Sequence, residues 1–282
     1  METYVFVAML AAAACHAGWN SILKLNLAPF AALVLINAAS AIVVAPFVVA
    51  VPFPSSDAWP YLLASLIIHL LYYVALTEAY RTGDLGQVYP IARGSAPLLT
   101  ALGAYLWLGE NPGVIGWLGI AILAGGIVML SFAGRSGGRW FAFRAVSFAL
   151  LTAITISFYT VVDGIGARVS GSAPSYITWL FLIDGLAMLL LGAICFGPAQ
   201  LWSQFRSAWL TLLLGGAMAL LAYGTAIWAM TLAPIAMVAA VRETSVLFAA
   251  VLGIVVLKEA IIPVRVLAAG VVLAGLVLMR LS

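Results

Sequence analysis

Charge is scarce in this chain. Of its 282 residues only 7% are Asp, Glu, Lys or Arg, against 66% that are hydrophobic. No soluble domain of this length can hide so much apolar surface, because a soluble core stops growing near this size. Cysteine is nearly absent: Cys15 and Cys195 both lie inside apolar runs. That excludes a disulfide or thiolate–metal framework and makes them small core residues. Short segments of alternating hydrophobicity are missing, and with them the pattern of a membrane β-barrel. There is no His-Glu-x-x-His helix, no Ser-His-Asp spacing and no nucleotide-binding motif, so no catalytic residue, metal ligand or cofactor is expected. The net charge of +3 comes from loop Lys and Arg, which speak to membrane topology and not to nucleic acid.

Apolar runs of about 20 residues recur from end to end instead, each able to cross a hydrocarbon core of about 30 Å. The expected fold is an all-α polytopic membrane protein with ten transmembrane helices. They run Thr3–Lys24, Pro29–Val51, Trp59–Arg81, Leu85–Leu108 and Pro112–Phe132, then Arg144–Val169, Pro174–Gly197, Ser207–Thr231, Ala233–Leu257 and Ile261–Arg280. The first run lacks a basic n-region and continues to about Leu23, which reads as a retained helix rather than a cleaved signal. Lys24, Arg81, Arg135, Arg139, Arg144, Arg206, Lys258 and Arg265 fall on one side of these spans, Arg168 and Arg280 on the other. The positive-inside rule then puts both termini outside.

The stretch from Leu85 to Leu130 organises the rest. Its two apolar runs meet at the hinge Gly109-Glu110-Asn111-Pro112, and the pattern returns 149 residues later without a gap. Arg93 maps to Arg242, Ser95 to Thr244, Leu98 to Leu247, Leu108 to Leu257, Glu110 to Glu259 and Gly126 to Gly275. One register across two helices and a hinge indicates an internal duplication. Leu35-Ile36-Asn37 likewise resembles Leu182-Ile183-Asp184, and Ala17-Gly18-Trp19 is set more weakly against Ser157-Phe158-Tyr159. The halves are 1–132 and 144–281, joined by a linker at 133–143. An odd number of spans per half makes them two inverted five-helix repeats, the architecture of alternating-access carriers with a site at the repeat interface.

Five-plus-five spans, the Gly109-Glu110 hinge with its degenerate copy Lys258-Glu259, the Gly-rich helix Gly116 to Gly126 and the Trp19-Asn20 to Lys24 helix end resemble the drug/metabolite transporter superfamily, EamA type. Within it the chain looks most similar to the YddG-type aromatic amino acid exporters of bacteria. The resemblance implies a multi-pass protein of the inner membrane that moves a small molecule. It also implies termini on the inside, against the count of basic residues.

An ionisable residue at bilayer depth costs about 2.5 to 3.5 kcal/mol on insertion scales, so it faces a cavity or a partner. Arg93, Asp184, Arg242 and Glu243 form that interior set, and an internal ion pair is as good an explanation for any one of them as a substrate site. Tyr89, Arg93, Ala96 and Thr100 share one helix face at i, i+4, i+7 and i+11, which suggests a wetted surface. Arg93 is expected there either as a carboxylate clamp or paired with Glu243 or Asp184. Arg242 and Glu243 are neighbours in a helix and are expected to need separate partners. His69 and Tyr73 lie in an aromatic stripe on the third span. Tyr223, Trp228, Trp19 and Tyr159 could complete a ring-lined chamber, while Trp59, Trp107, Trp140, Trp202 and Trp209 read as interfacial belt residues. Glu78 and Arg81 are a local i, i+3 pair. Asp163 and Arg168 are expected to be solvated near a helix end, and His16 and His69 to be core histidines more readily than proton relays.

The expected substrate site is therefore Trp19, His69, Tyr73, Tyr89, Arg93, Tyr159, Tyr223, Trp228, Arg242 and Glu243. A cavity with a cation, an acid and several rings suits amino acids with aromatic or other apolar side chains. An intramembrane enzyme lacks its nucleophile and base, and a channel would give flux that does not saturate. A sugar-phosphate carrier would want more cavity Lys and Arg, and a cation-drug carrier an exposed central acid. The glycine-rich helices Pro112–Phe132 and Ile261–Arg280 read as scaffold or dimer face, so the protein is expected to be a monomer or homodimer in the bilayer.

Overall fold

The computed structural model describes residues 1–22, 28–83, 85–133, 143–255, 258 and 262–281, and of 21, 22, 85–87, 89, 90 and 131–133 the backbone alone. Lys24, Glu259 and the linker residues 134–142 lie outside the described residues, as does the side chain of Tyr89.

Twelve helices are described: α1 Thr3–Ile22, α2 Pro29–Val44, α3 Trp59–Thr82, α4 Leu85–Leu108, α5 Gly113–Ala133, α6 Phe143–Val169, α7 Ala173–Phe196, α8 Pro198–Ser207, α9 Trp209–Met230, α10 Ile235–Arg242, α11 Ser245–Val255 and α12 Pro263–Leu281. Among the described residues there is no strand. Among the described residues eight stretches are long and apolar enough to cross a membrane, so the chain is a multi-pass helical membrane protein. Its outward side chains agree: Val7, Leu71, Leu106, Leu190 and Ile194 are all exposed, where a soluble bundle would carry charge.

Local chemistry sets the helix ends. Proline opens α2, α3, α7 and α8, where its missing N–H costs nothing. The Ser172 hydroxyl accepts from Ser175 N at 3.4 Å and caps α7.

Three elements depart from the sequence expectation. The second span stops as an α-helix at Val44 and continues as a 3-10 turn, Ala45–Val49, because Pro46 has no N–H to give to the preceding turn. The Gly197-Pro198 corner starts the short helix α8 in the interval between the expected seventh and eighth spans. The ninth span is two helices, α10 and α11. Between them Glu243 N bonds Ala240 O, Thr244 N bonds Val241 O and Leu247 N bonds Thr244 O, a tightened i to i+3 pattern. The Thr244 hydroxyl adds a bond to Val241 O at 2.7 Å, competing for the backbone where the helix breaks.

The packing pairs exchange under a swap of the two halves. α5 packs on α12 and α2 on α7; α3 packs on α6 as α1 packs on α9; α4 packs on α6 as α1 packs on α10 and α11. Glycine permits both central crossings. A Cβ on Gly275 would lie 2.5 Å from Leu123 N, and one on Gly185 would lie 2.5 Å from Asn37 O. The glycines of α5 and α12 thus face each other within the chain. The crossing at Gly185 brings Asn37 of α2 beside Asp184 of α7.

Candidate functional site

A central cavity, with an empty volume of about 680 Å³ counting its open mouth, lies between the halves. Its walls are His16 and Trp19 of α1, Asn37 of α2, His69, Tyr72 and Tyr73 of α3, and Arg93 of α4. Tyr159 of α6, Phe181 and Asp184 of α7, Tyr223 of α9 and Arg242 at the end of α10 complete them. Towards the face that carries Met1 the cavity ends on an apolar layer. Met9, Leu62, Val161, Leu180, Ile227 and Val238 come from six helices there, each at most 3% exposed. Towards the other face Trp19 and Asn37 are only half-buried.

The two arginines share one acid. Arg93 Nη1 lies 3.3 Å from Glu243 Oε1, and Arg242 Nε lies 3.6 Å from the same oxygen. All three side chains are at most 5% exposed. The expectation of separate partners for Arg242 and Glu243 is therefore corrected: the rule that adjacent residues diverge holds in a continuous helix, and α10 ends between them and α11. Arg93 also meets His16 Nε2 at 2.5 Å, so its guanidinium is engaged on both sides. Of the two roles open to Arg93 in the sequence, the structure realises the pair with Glu243.

Rings fill the middle. His69 and Tyr159 have centroids 4.5 Å apart, and Tyr159 meets Tyr223 edge-on at 5.5 Å. The Arg242 guanidinium lies 5.4 Å from the Tyr223 centroid, within cation–π range. Tyr72 closes the cluster against Tyr73 at 5.2 Å and Tyr159 at 5.6 Å.

Two aspartates stand on either side of His69. Asp163 Oδ2 is 3.9 Å from its Nε2 and Asp184 Oδ2 is 3.8 Å from its Nδ1. Asp163 is fully buried and accepts from Tyr223 at 2.5 Å and from Tyr176 at 2.9 Å, one hydroxyl on each oxygen. The solvated reading of Asp163 thus fails, because Asp163 lies nearly two turns inside α6, where Tyr176 of α7 covers it. Arg168 is likewise engaged: its Nη1 lies 2.7 Å from Glu110 Oε1. The Glu78–Arg81 pair forms as expected, at 3.3 Å.

Of the expected site residues, Trp19, His69, Tyr73, Arg93, Tyr159, Tyr223 and Arg242 line the cavity. Glu243 stands behind it, holding the arginines. Trp228 does not reach it and packs 6.2 Å from Tyr4 in the apolar layer. Five residues turn a helix about 140° beyond its starting face, so Trp228 and Tyr223 point apart. Tyr89 sits one turn before Arg93 on α4, its side chain outside the described residues. Asn37 was missed, and Asp184, singled out as an interior charge and a possible partner of Arg93, was left off the expected site. Their signal was the matched Leu-Ile-Asn and Leu-Ile-Asp triplets, which place both at one position of the two halves.

A multi-pass helical bundle with a charged, ring-lined cavity between its halves has the build of a transporter for small molecules. The EamA-like transporter family matches residues 3–132 and again residues 143–281, and the chain belongs to that family, in the drug/metabolite transporter superfamily. These are transporters, not enzymes. The fold recurs in a crystal structure of another protein, with a TM-score of 0.75 at 18% identity, over 99% of this chain and 96% of that one. Among curated proteins none matches the chain.

Proposed function

We propose that the chain is a secondary carrier that exports amino acids with aromatic or other apolar side chains across the bacterial inner membrane by alternating access. The carrying observation is a pair of buried atoms on one cavity that make no hydrogen bond, although Arg242 Nε keeps Glu243 Oε1 as an ion-pair neighbour at 3.6 Å. Asp184 Oδ1 is an acceptor and Arg242 Nε a donor, and neither has a hydrogen-bond partner. A buried polar atom left unmade costs about 1–3 kcal/mol, more if charged, and a ligand that supplies both partners recovers it. The ammonium and carboxylate of an amino acid are such a pair of groups. The rings of Tyr159, Tyr223, Tyr72 and Phe181 give its side chain an apolar face. The YddG-like character of the sequence supports export as the direction.

Ten spans in two inverted repeats, 1–132 and 144–281, supply the mechanism. The exchange of packing partners between halves supports that arrangement, and so does the gapless repeat of Arg93 and Arg242. The apolar layer closes one face. The opposite face carries Arg81, Arg144, Arg206 and Lys258, so this conformation opens to the cytoplasm under the positive-inside rule.

The test is counterflow. Purified protein in liposomes holding unlabelled phenylalanine or tryptophan should accumulate the labelled amino acid transiently and saturably. Absence of exchange for every amino acid, with saturable exchange of a metabolite or drug lacking either the amine or the carboxylate, would move the chain to another substrate class of the superfamily.

A further inference from the structure

The Tyr73 hydroxyl carries one hydrogen and faces two acceptors. Asn37 Oδ1 is 2.8 Å away and Asp184 Oδ2 is 2.9 Å away. The Asn37 amide cannot turn to resolve this, because its Nδ2 donates to Leu33 O at 2.9 Å, and a flip would set two oxygens against each other. Tyr73 therefore donates to Asn37, and the hydrogen between Tyr73 and Asp184 belongs to Asp184. We propose that Asp184 is the proton carrier of the cavity, and that a proton and the substrate's ammonium take turns on it.

The surroundings of Asp184 favour this exchange. From α3 it meets Tyr73 and His69, and across His69 stand Asp163 and Tyr159 of α6. Tyr223 of α9 and Arg242 of α10 line the same cavity, α2 brings the neutral Asn37, and Arg206 of α8 is exposed. Arg242 and Arg93 are taken up by Glu243, so neither cation is assigned to Asp184. With Arg93 and Arg242 positive and Glu243 and Asp163 negative, the four balance, and the site is neutral only while Asp184 is protonated. His69 stands between the two aspartates, its Nδ1 without a hydrogen-bond partner and 3.8 Å from Asp184 Oδ2.

The step balances. The Asp184 O–H bond breaks, its electron pair stays on the carboxylate, and the proton leaves to water at the open mouth of the cavity. The carboxylate then pairs with the ammonium of the bound amino acid. Release of the amino acid on the far side lets a proton return. One proton moves against each zwitterion, so export draws on the proton gradient and carries one positive charge inward per cycle.

This coupling rests on the amino acid reading above, and two measurements separate the two. Infrared spectroscopy of the full chain in lipid at neutral pH should show a carboxylic C=O band that vanishes in Asp184→Asn. In Tyr73→Phe, which removes the acceptor of the carboxylic O–H, the band should move to higher frequency. A spectrum unchanged by both substitutions overturns the proposal. Adding phenylalanine to weakly buffered, detergent-solubilised protein should release about one proton per molecule bound. Binding without release overturns the exchange. A band that responds as expected while phenylalanine fails to bind supports the proton site and refutes the amino acid reading. If Asp184→Asn does not fold, the shift in Tyr73→Phe decides.

Discussion

Arg168 Nη1 lies 2.7 Å from Glu110 Oε1, joining the end of α6 to the hinge between α4 and α5. Glu110 Oε2 also accepts the N–H of Ile235 at 2.7 Å, an otherwise orphaned donor at the start of α10. Arg168 donates to Met230 O at 2.8 Å and Ala233 O at 3.1 Å. One ion pair thus ties three chain segments from both halves beside the apolar layer that closes the cavity.

Glu110→Ala removes the ion pair and the cap together. Hydrogen bonds to charged groups contribute about 1.5–3 kcal/mol. Arg168 is a third exposed, which places the loss near the bottom of that range. Glu110→Gln keeps an acceptor for Ile235 and should lose less. Thermal unfolding in detergent checks the order, and equal midpoints for parent and Glu110→Ala would remove the latch.

The Arg93–Glu243–Arg242 triad should behave as a unit. Removing one member of a buried pair costs about 3–5 kcal/mol, because a charge is left without its counter-charge. Glu243→Gln strands two cations and should be among the most damaging single changes. Arg93→Met combined with Glu243→Leu should cost less than the sum of the singles. A double-mutant cycle in chemical denaturation measures this, and strict additivity would mean that the 3.3 Å contact carries no coupling.

The cavity rings should act on transport more than on stability. Each of Tyr159→Ala and Tyr223→Ala removes an aromatic contact worth on the order of 1 kcal/mol beyond its area, a several-fold loss in substrate affinity. Tyr223→Phe keeps the ring against Arg242 and drops only the hydroxyl on Asp163, so it separates ring from hydroxyl. Counterflow at matched protein levels reports both, and unchanged exchange in the two alanine variants would return these residues to packing.

Two glycine substitutions should differ sharply. Gly275→Ala puts a methyl 2.5 Å from the Leu123 backbone nitrogen, where neither helix can yield cheaply. Overpacking of this kind costs about 1–3 kcal/mol. Gly125→Ala meets nothing within 4 Å and should be neutral or slightly stabilising. Equal melting behaviour of the two variants would show that α5 and α12 do not pack through Gly275.

Much of the site was legible before the structure, because burying a charge in a bilayer is costly enough to mark it. Arg93 and Arg242 stood out as cations inside apolar runs, and the duplication placed them at one position of two halves. The Gly109-Glu110 hinge was visible as a break, although its partner Arg168, 58 positions on, was not. Asp163 was misread because its distance from a helix end says nothing about what covers it. The hydroxyl of Tyr176 comes from the next helix.

Composition and period alone determined that this chain is a helical membrane protein. The reason is solvent: hydrocarbon accepts apolar side chains and no unpaired backbone, so runs of about 20 apolar residues have one available form. Only tertiary packing decided which charges meet. The Arg242–Glu243 contact needs the helix broken between α10 and α11, and the Asn37–Tyr73–Asp184 chain needs α2 and α7 to touch at Gly185. Hydrogen-bond partners lie within about 3 Å, and no spacing along the sequence specifies so short a distance between separate helices.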